Sequence, residues 1–164
     1  MIKNNVFDYH YYQNVLQIID EQVQLTPNMP AVHHHDKSLS YFELNQGANA
    51  LAHLLIDEEV LPNALVGICM DRSLAMAVGI LGIIKTGAAY VPFDAEYPTE
   101  RIQFMLASAQ CSVIVTQKKF ADLFINSGAV VFIWEDVSGQ LTNMPKINPD
   151  VQISANNLLY VLFT

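Results

Sequence analysis

The sequence predicts an α/β fold, a mostly parallel β-sheet with flanking helices. Short strand-like runs alternate with segments of helical period along most of the chain. That is the pattern of strand–helix–strand units joined by right-handed crossovers. Apolar residues make up 52% of the chain and charged residues 15%, a balance that suits strands buried on both faces. A chain of 164 residues can bury one good core, so one domain or part of one is expected.

The elements can be justified in order. Tyr12, Leu16, Ile19 and Val23 recur at helical spacing and predict an amphipathic helix over residues 7–24, ended by Thr26-Pro27-Asn28 and Pro30. Residues 31–35 read as a short strand and Asp36-Lys37 as a turn. Ser40-Tyr41-Phe42-Glu43 is a capping box, in which the Ser40 hydroxyl accepts from the Glu43 N–H and the Glu43 carboxylate reaches back to the Ser40 N–H. Leu39 and Leu44 hold the two positions of a hydrophobic staple around it. Leu44, Ala48, Leu51 and Leu55 line one face of the helix that follows, which dissolves at Asp57-Glu58-Glu59.

Residues 64–70 read as a buried strand. Asp71-Arg72-Ser73 offers a cap for a helix that is apolar nearly all round and therefore interior. Lys85 lies in its last turn, where a cation complements the helix dipole, and Gly87 follows as a left-handed C-terminal cap. Residues 89–93 form the next strand. After the loop Asp94-Ala95-Glu96-Tyr97, Pro98 opens a helix with Ile102, Met105, Leu106 and Ala109 on its inner face. Residues 112–116 are a strand, Phe120, Leu123 and Phe124 mark a short helix closed by Gly128, and residues 129–134 are another strand. Ser138-Gly139, Pro145 and Pro149 make an irregular connection to a terminal strand that begins near Leu158.

Composition narrows the function classes. The formal net charge is −8 and there is no basic run, which argues against nucleic acid and against anionic membrane surfaces as partners. Met1-Ile2-Lys3-Asn4-Asn5 lacks the apolar run of a signal peptide, and the longest uncharged helical stretch, residues 73–84, is too short to span a bilayer. The cytoplasm is the expected compartment. Cys69 and Cys111 lie far apart and form no CxxC, so they read as small buried hydrophobes in a reducing compartment.

Several residues invite a chemical reading, and each has a plainer one. Ser40 and Glu43 are explained by capping alone. Lys85 can be a phosphate ligand, but its place before a helix-ending glycine favours a structural role. Asp94 and Arg101 flank a helix start and can bridge the loop, again structurally. On a strand, His33 and His35 would face one way and His34 the other, so at most two of the three converge on a metal. Tyr9, Tyr11 and Tyr12 around His10 can form a docking surface, or an ordinary packed helix start. No catalytic residue and no metal ligand is assigned. The apolar run Leu158-Leu159-Tyr160-Val161-Leu162-Phe163 leads into the hydroxyl of Thr164, which is how a nucleotide-phosphate loop often begins.

Three segments resemble those of one family. Leu39-Ser40-Tyr41-Phe42-Glu43-Leu44-Asn45 resembles the first core motif of the amino-acid adenylation domains of nonribosomal peptide synthetases. Ile84-Lys85-Thr86-Gly87-Ala88-Ala89-Tyr90-Val91-Pro92-Phe93-Asp94, continued by Glu96-Tyr97-Pro98-Thr99-Glu100-Arg101-Ile102, resembles the second. Asn157 to Thr164 looks like the approach to the third, a Ser/Thr/Gly-rich phosphate loop. The match runs from about Val15 onward, in family order and at family-like spacing.

The resemblance implies that residues 1–14 are an N-terminal extension. It implies that residues 15–164 are the N-terminal part of the adenylate-forming fold, incomplete and ending at the start of the phosphate-binding loop. It further implies that the full domain uses ATP and Mg²⁺ to form an aminoacyl-AMP, then loads a phosphopantetheinyl carrier-protein thiol. Only Thr164 carries over, as an ATP phosphate contact; this chain alone is expected to bind no cofactor and to be inactive. Its partners would be the remainder of the domain, the carrier protein and the amino acid. Two alternatives stay open: a non-catalytic half of a split synthetase that binds a complementary chain, and a truncated gene product with no independent role.

Overall fold

The computed structural model describes residues 14–164. Tyr9, His10, Tyr11 and Tyr12, and the part of the first expected helix that precedes residue 14, lie outside the described residues. Helix α1 (Val15–Leu25) is capped by Asn14, whose side chain accepts from the N–H groups of Leu16 and Gln17 at 3.0 and 3.2 Å.

A β-hairpin follows, made of β1 (Pro30–His34) and β2 (Lys37–Ser40), paired antiparallel with His33 opposite Ser38 and His34 opposite Lys37. Only its first strand is expected from the sequence. The second, Lys-Ser-Leu-Ser, is too polar and too short to announce itself by alternation. His35 sits in the connecting turn with a left-handed φ of 54°, so it leaves the strand and does not share a face with His33. Its ring stands edge-on to that of His34, with centroids 4.2 Å apart.

Helix α2 (Tyr41–Asp57) opens with the expected capping box. The Ser40 N–H donates to Glu43 Oε2 at 2.8 Å, and the Glu43 N–H donates to Ser40 Oγ at 3.2 Å. The Ser40 backbone N–H, and then its hydroxyl, hold the Glu43 carboxyl below the ordinary value of 4.5.

The centre of the molecule is a four-stranded parallel sheet of order β4-β3-β5-β6, made from β3 (Leu65–Cys69), β4 (Ala89–Pro92), β5 (Val113–Thr116) and β6 (Val130–Ile133). From β3 the chain passes through α3 (Leu74–Lys85) to β4 on one side. It then returns through α4 (Thr99–Ala109) to β5 on the other side of β3. Crossovers of one hand running in opposite directions put their helices on opposite faces. The core accordingly divides in two. Val66 and Ile68 of β3, with Val113 and Val115 of β5, meet Leu51 and Leu55 of α2 and Ile83 of α3. Cys69, Val91 and Ile114 meet Ile102, Met105 and Leu106 of α4, with Phe93 and Phe124 edge to face at 5.6 Å. Each fully buried Leu or Ile of this kind contributes about 1.5–3 kcal/mol.

Two glycines allow close approaches. Gly87 takes a φ of +77° as the left-handed residue after α3, and a Cβ there would also meet Pro62 at 3.1 Å. Gly82 lets α3 lie against α2, where an added Cβ would stand 2.8 Å from Leu51 Cδ2.

Beyond β6 the connection is more ordered than expected. Trp134–Val137 form a short helix (α5) and Gln140–Asn143 a 3₁₀ turn. The lone tryptophan, Trp134, packs against the α3-side core. A 3₁₀ helix, Lys118–Phe124, replaces the short α-helix expected after β5. The expected terminal strand is reduced to one parallel bridge between Tyr90 and Tyr160. There the Tyr90 N–H donates to Leu159 O at 3.2 Å and the Val161 N–H to Tyr90 O at 3.0 Å. Val161 and Phe163 pack inward against the α4-side core, while Leu158, Tyr160 and Leu162 stay exposed. No helix among the described residues is long and apolar enough to cross a membrane.

Two measurements check this packing. Gly82→Ala should lower the unfolding free energy in urea by about 1–3 kcal/mol, because the added methyl would crowd Leu51, which is fully buried, at its Cβ and Cγ (3.0 Å) as well as at Cδ2. Ser40→Ala should lower it by about 1 kcal/mol at neutral pH. The Glu43 half of the box is fully present above 4.5 and lost as pH falls through the lower value of the folded state, so the gap between Ser40→Ala and the parent should narrow in acid.

Candidate functional site

The reversal of direction at β3 leaves a crevice outside the carboxyl ends of the strands, where ligands of open α/β sheets bind. A cleft of about 690 Å³ opens there. Its walls are the residues that follow β3 (Met70, Asp71, Arg72), β4 (Phe93 to Tyr97) and β5 (Lys119, Phe120), closed on one side by Leu162 and Phe163.

The ends of the two central strands are tied together. Thr116 is fully buried and its hydroxyl donates to Cys69 O at 2.9 Å. The Asp71 N–H donates to Gln117 Oε1 at 2.8 Å. Lys119 pairs with Asp71 at the mouth and also lies over the Phe120 ring, 4.5 Å from its centroid. Both partners of that ion pair are more than half exposed, so it adds at most about 1 kcal/mol and leaves both charges available to a ligand. The rim therefore carries carboxylates (Asp71, Asp94, Glu96) and cations (Arg72, Lys119) above an apolar floor of Met70, Phe93 and Met105.

The expected ion pair between Asp94 and Arg101 does not form. Asp94 Oδ1 accepts from the Glu96 N–H at 2.9 Å, closing its own turn. The Arg101 guanidinium lies over the Tyr97 ring at 4.6 Å and donates through Nη2 to Phe163 O at 3.5 Å. Phe163 in turn meets Phe104 edge to face at 6.4 Å. Thr164, next in the chain, is exposed; of residues 158–164, Leu162 and Phe163 are the ones that line the cleft.

The other sequence candidates lie elsewhere. Because α3 leaves the cleft and runs back along the sheet, Lys85 sits at the far end. It is 3% exposed, pairs with Asp20 Oδ1 at 3.4 Å and donates to Asn148 Oδ1 at 2.9 Å. Burial lowers its pKa, against the opposing pull of Asp20. Its role is structural, although its partners are two distant side chains rather than the helix end alone. Ser40 and Glu43 are engaged with each other at the start of α2. Cys69 and Cys111 are buried, and burial pushes both thiols up to about 11, away from any thiolate chemistry. Among the described residues no group of three or more His, Cys, Asp or Glu is placed to hold a metal ion. The cleft has the make-up of a binding surface.

Sequence reasoning missed Asp71, Arg72 and Lys119 as rim residues. The available signal was position: all three lie within three residues of the carboxyl ends of β3 and β5, the strands flanking the reversal.

A family model described as AMP-binding enzyme matches residues 19–164. A linear gramicidin synthase of Brevibacillus parabrevis is 43% identical over 150 residues, which is 92% of this chain and 2% of that protein. Gramicidin S synthase 1 of Brevibacillus brevis is 36% identical over 166 residues, 99% of this chain and 15% of its own length. A crystal structure of the nonribosomal peptide synthetase FmoA3, in an α-methyl-L-serine-AMP bound form, superposes with a TM-score of 0.83. It is 26% identical, with 93% of this chain and 17% of that one covered. The chain thus spans less than a fifth of the length of each of these three proteins. The family match begins at Ile19 within α1 and covers everything after it, the cleft and its rim included, and the chain belongs to the AMP-binding enzyme family.

Proposed function

We propose that residues 15–164 are the N-terminal part of an amino-acid adenylation domain, preceded by an extension over residues 1–14. They end where its phosphate-binding loop begins. The whole domain would join an amino acid to ATP as aminoacyl-AMP, releasing pyrophosphate, and pass the aminoacyl group to a carrier-protein thiol. ATP would enter with Mg²⁺, and the reaction would run in the cytoplasm. The observation that supports this reading is that Leu162 and Phe163 close one side of the cleft and the exposed Thr164 follows them directly in the chain. A hydroxyl at a strand end can donate to a phosphoryl oxygen as charge develops there. The synthetase relatives, and the aminoacyl-AMP bound by FmoA3, support the same chemistry.

These 164 residues contain one wall of such a site, so they should show only background ATP–pyrophosphate exchange by themselves. In the intact domain, Thr164→Ala should lower kcat for exchange by about 10²-fold, the scale of losing one donor to a developing oxyanion. Clear exchange by this chain alone, or unaltered kinetics in Thr164→Ala, would contradict the reading.

One observation favours a second reading. Leu158, Tyr160 and Leu162 stand 50%, 50% and 58% exposed along one apolar edge. A complementary chain seated there would make this the non-catalytic half of a split synthetase. Co-purification with a separately encoded remainder of the domain would support it; exchange activity in a single continuous chain would rule it out.

A further inference from the structure

The Arg101 guanidinium is placed unusually for a cation in an acidic chain. Among the described residues the ion pairs are Lys85 with Asp20 and Lys119 with Asp71, and Arg101 belongs to neither. The loop carboxylate Asp94 accepts from the Glu96 N–H. Arg101 instead places its guanidinium carbon over the Tyr97 ring, 4.6 Å from the centroid, and directs Nη2 to the carbonyl oxygen of Phe163 at 3.5 Å. That carbonyl belongs to the peptide group that enters Thr164. One turn further along α4, Phe104 takes the Phe163 ring edge-on at 6.4 Å. On the other side, the Tyr90 backbone pairs with Leu159 O and the Val161 N–H, four and two residues before Phe163, and Asn63 Oδ1 accepts from the Leu158 N–H at 2.9 Å.

We propose that Arg101 is a positioning residue for the phosphate-contacting end of the cleft. Held over the Tyr97 ring, it fixes the Phe163–Thr164 peptide so that the Thr164 hydroxyl meets the triphosphate of the nucleotide in one orientation. The bonds to Tyr90 and Asn63 hold the segment up to Val161, and the α4 contacts hold its last two residues. A planar, stacked guanidinium suits the task because stacking fixes its donor direction, whereas a lysine ammonium on a flexible stem has none to fix. The proposal rests on the adenylation reading through Thr164, but its first test does not.

In the intact domain, Arg101→Ala should speed hydrogen exchange at the Val161 amide several-fold, with protection in β3 and β5 unchanged. It should also lower kcat/KM for ATP in pyrophosphate exchange on the order of tenfold to a hundredfold, the scale of a small misplacement of a reacting group, and leave KM for the amino acid unchanged. Arg101→Lys should resemble Arg101→Ala. Tyr97→Ala should move both readouts in the same direction, and Tyr97→Phe should leave both as in the parent. Combining Arg101→Ala with Thr164→Ala should add little to Thr164→Ala alone, because one acts through the other.

Unchanged exchange at Val161 in Arg101→Ala would overturn the positioning role whatever the kinetics. Faster exchange at Val161 with unaltered ATP kinetics in both Arg101→Ala and Thr164→Ala would overturn the adenylation reading of this rim, and the positioning of a nucleotide contact with it. Fully additive losses would overturn action through Thr164. A matching rise in the amino-acid KM would overturn it in favour of a general loss of structure.

Discussion

The rest of the structure depends on one constraint, the handedness of the crossovers that leave β3 in both directions. A right-twisted strand accepts only right-handed returns. Placing β4 on one side of β3 and β5 on the other therefore sends α3 and α4 to opposite faces. Two consequences follow together. Both faces of the sheet are buried, which is why β3 and β5 are almost wholly apolar. The loops that leave the carboxyl ends also diverge, opening the crevice between them. Core and cleft have a single cause.

The two ends of the sheet are then built differently. At the far end, Lys85, Asp20 and Asn148 fasten helices α1 and α3 to the long connection after β6. A buried cation with a carboxylate partner gives little net stability, because desolvation opposes the attraction, but it admits only one arrangement of the three segments. At the cleft end the fastenings are half exposed: Asp71 with Lys119, Asp94 on its own turn, Arg101 on Tyr97. The first set fixes register, and the second leaves polar groups facing outward.

Much of this was legible in the residues. The capping box at Ser40, the left-handed Gly87 and the apolar periods of α2, α3 and α4 are local signals, and local physics sets them. The motif that carries Tyr90 to Asp94 points to the family by its residues alone. Four features were not legible, each for a physical reason. Strand β2 exists only because β1 is there to pair with it. His35 leaves its strand because the hairpin turns there. Asp94 closes its own turn and Arg101 lies over Tyr97 instead of pairing, a matter of geometry that sequence spacing does not encode. The segment 158–163 has the composition of a strand, yet only one of its residues bridges to the sheet, since strand propensity needs a partner edge to act on. The rim residues Asp71, Arg72 and Lys119 belong to no local pattern and became visible only when the strand order placed them side by side.

Trp134 gives the fold an asymmetric optical reporter. It is the single indole of the chain, and it sits at the β6 corner against the α3-side core. The cleft is lined by Tyr97 and by phenylalanines, with no indole. Emission excited selectively at the indole therefore follows loss of the α3-side core and is blind to a loosened rim. Rim motions must be read from tyrosine signals or from a fluorophore placed there on purpose.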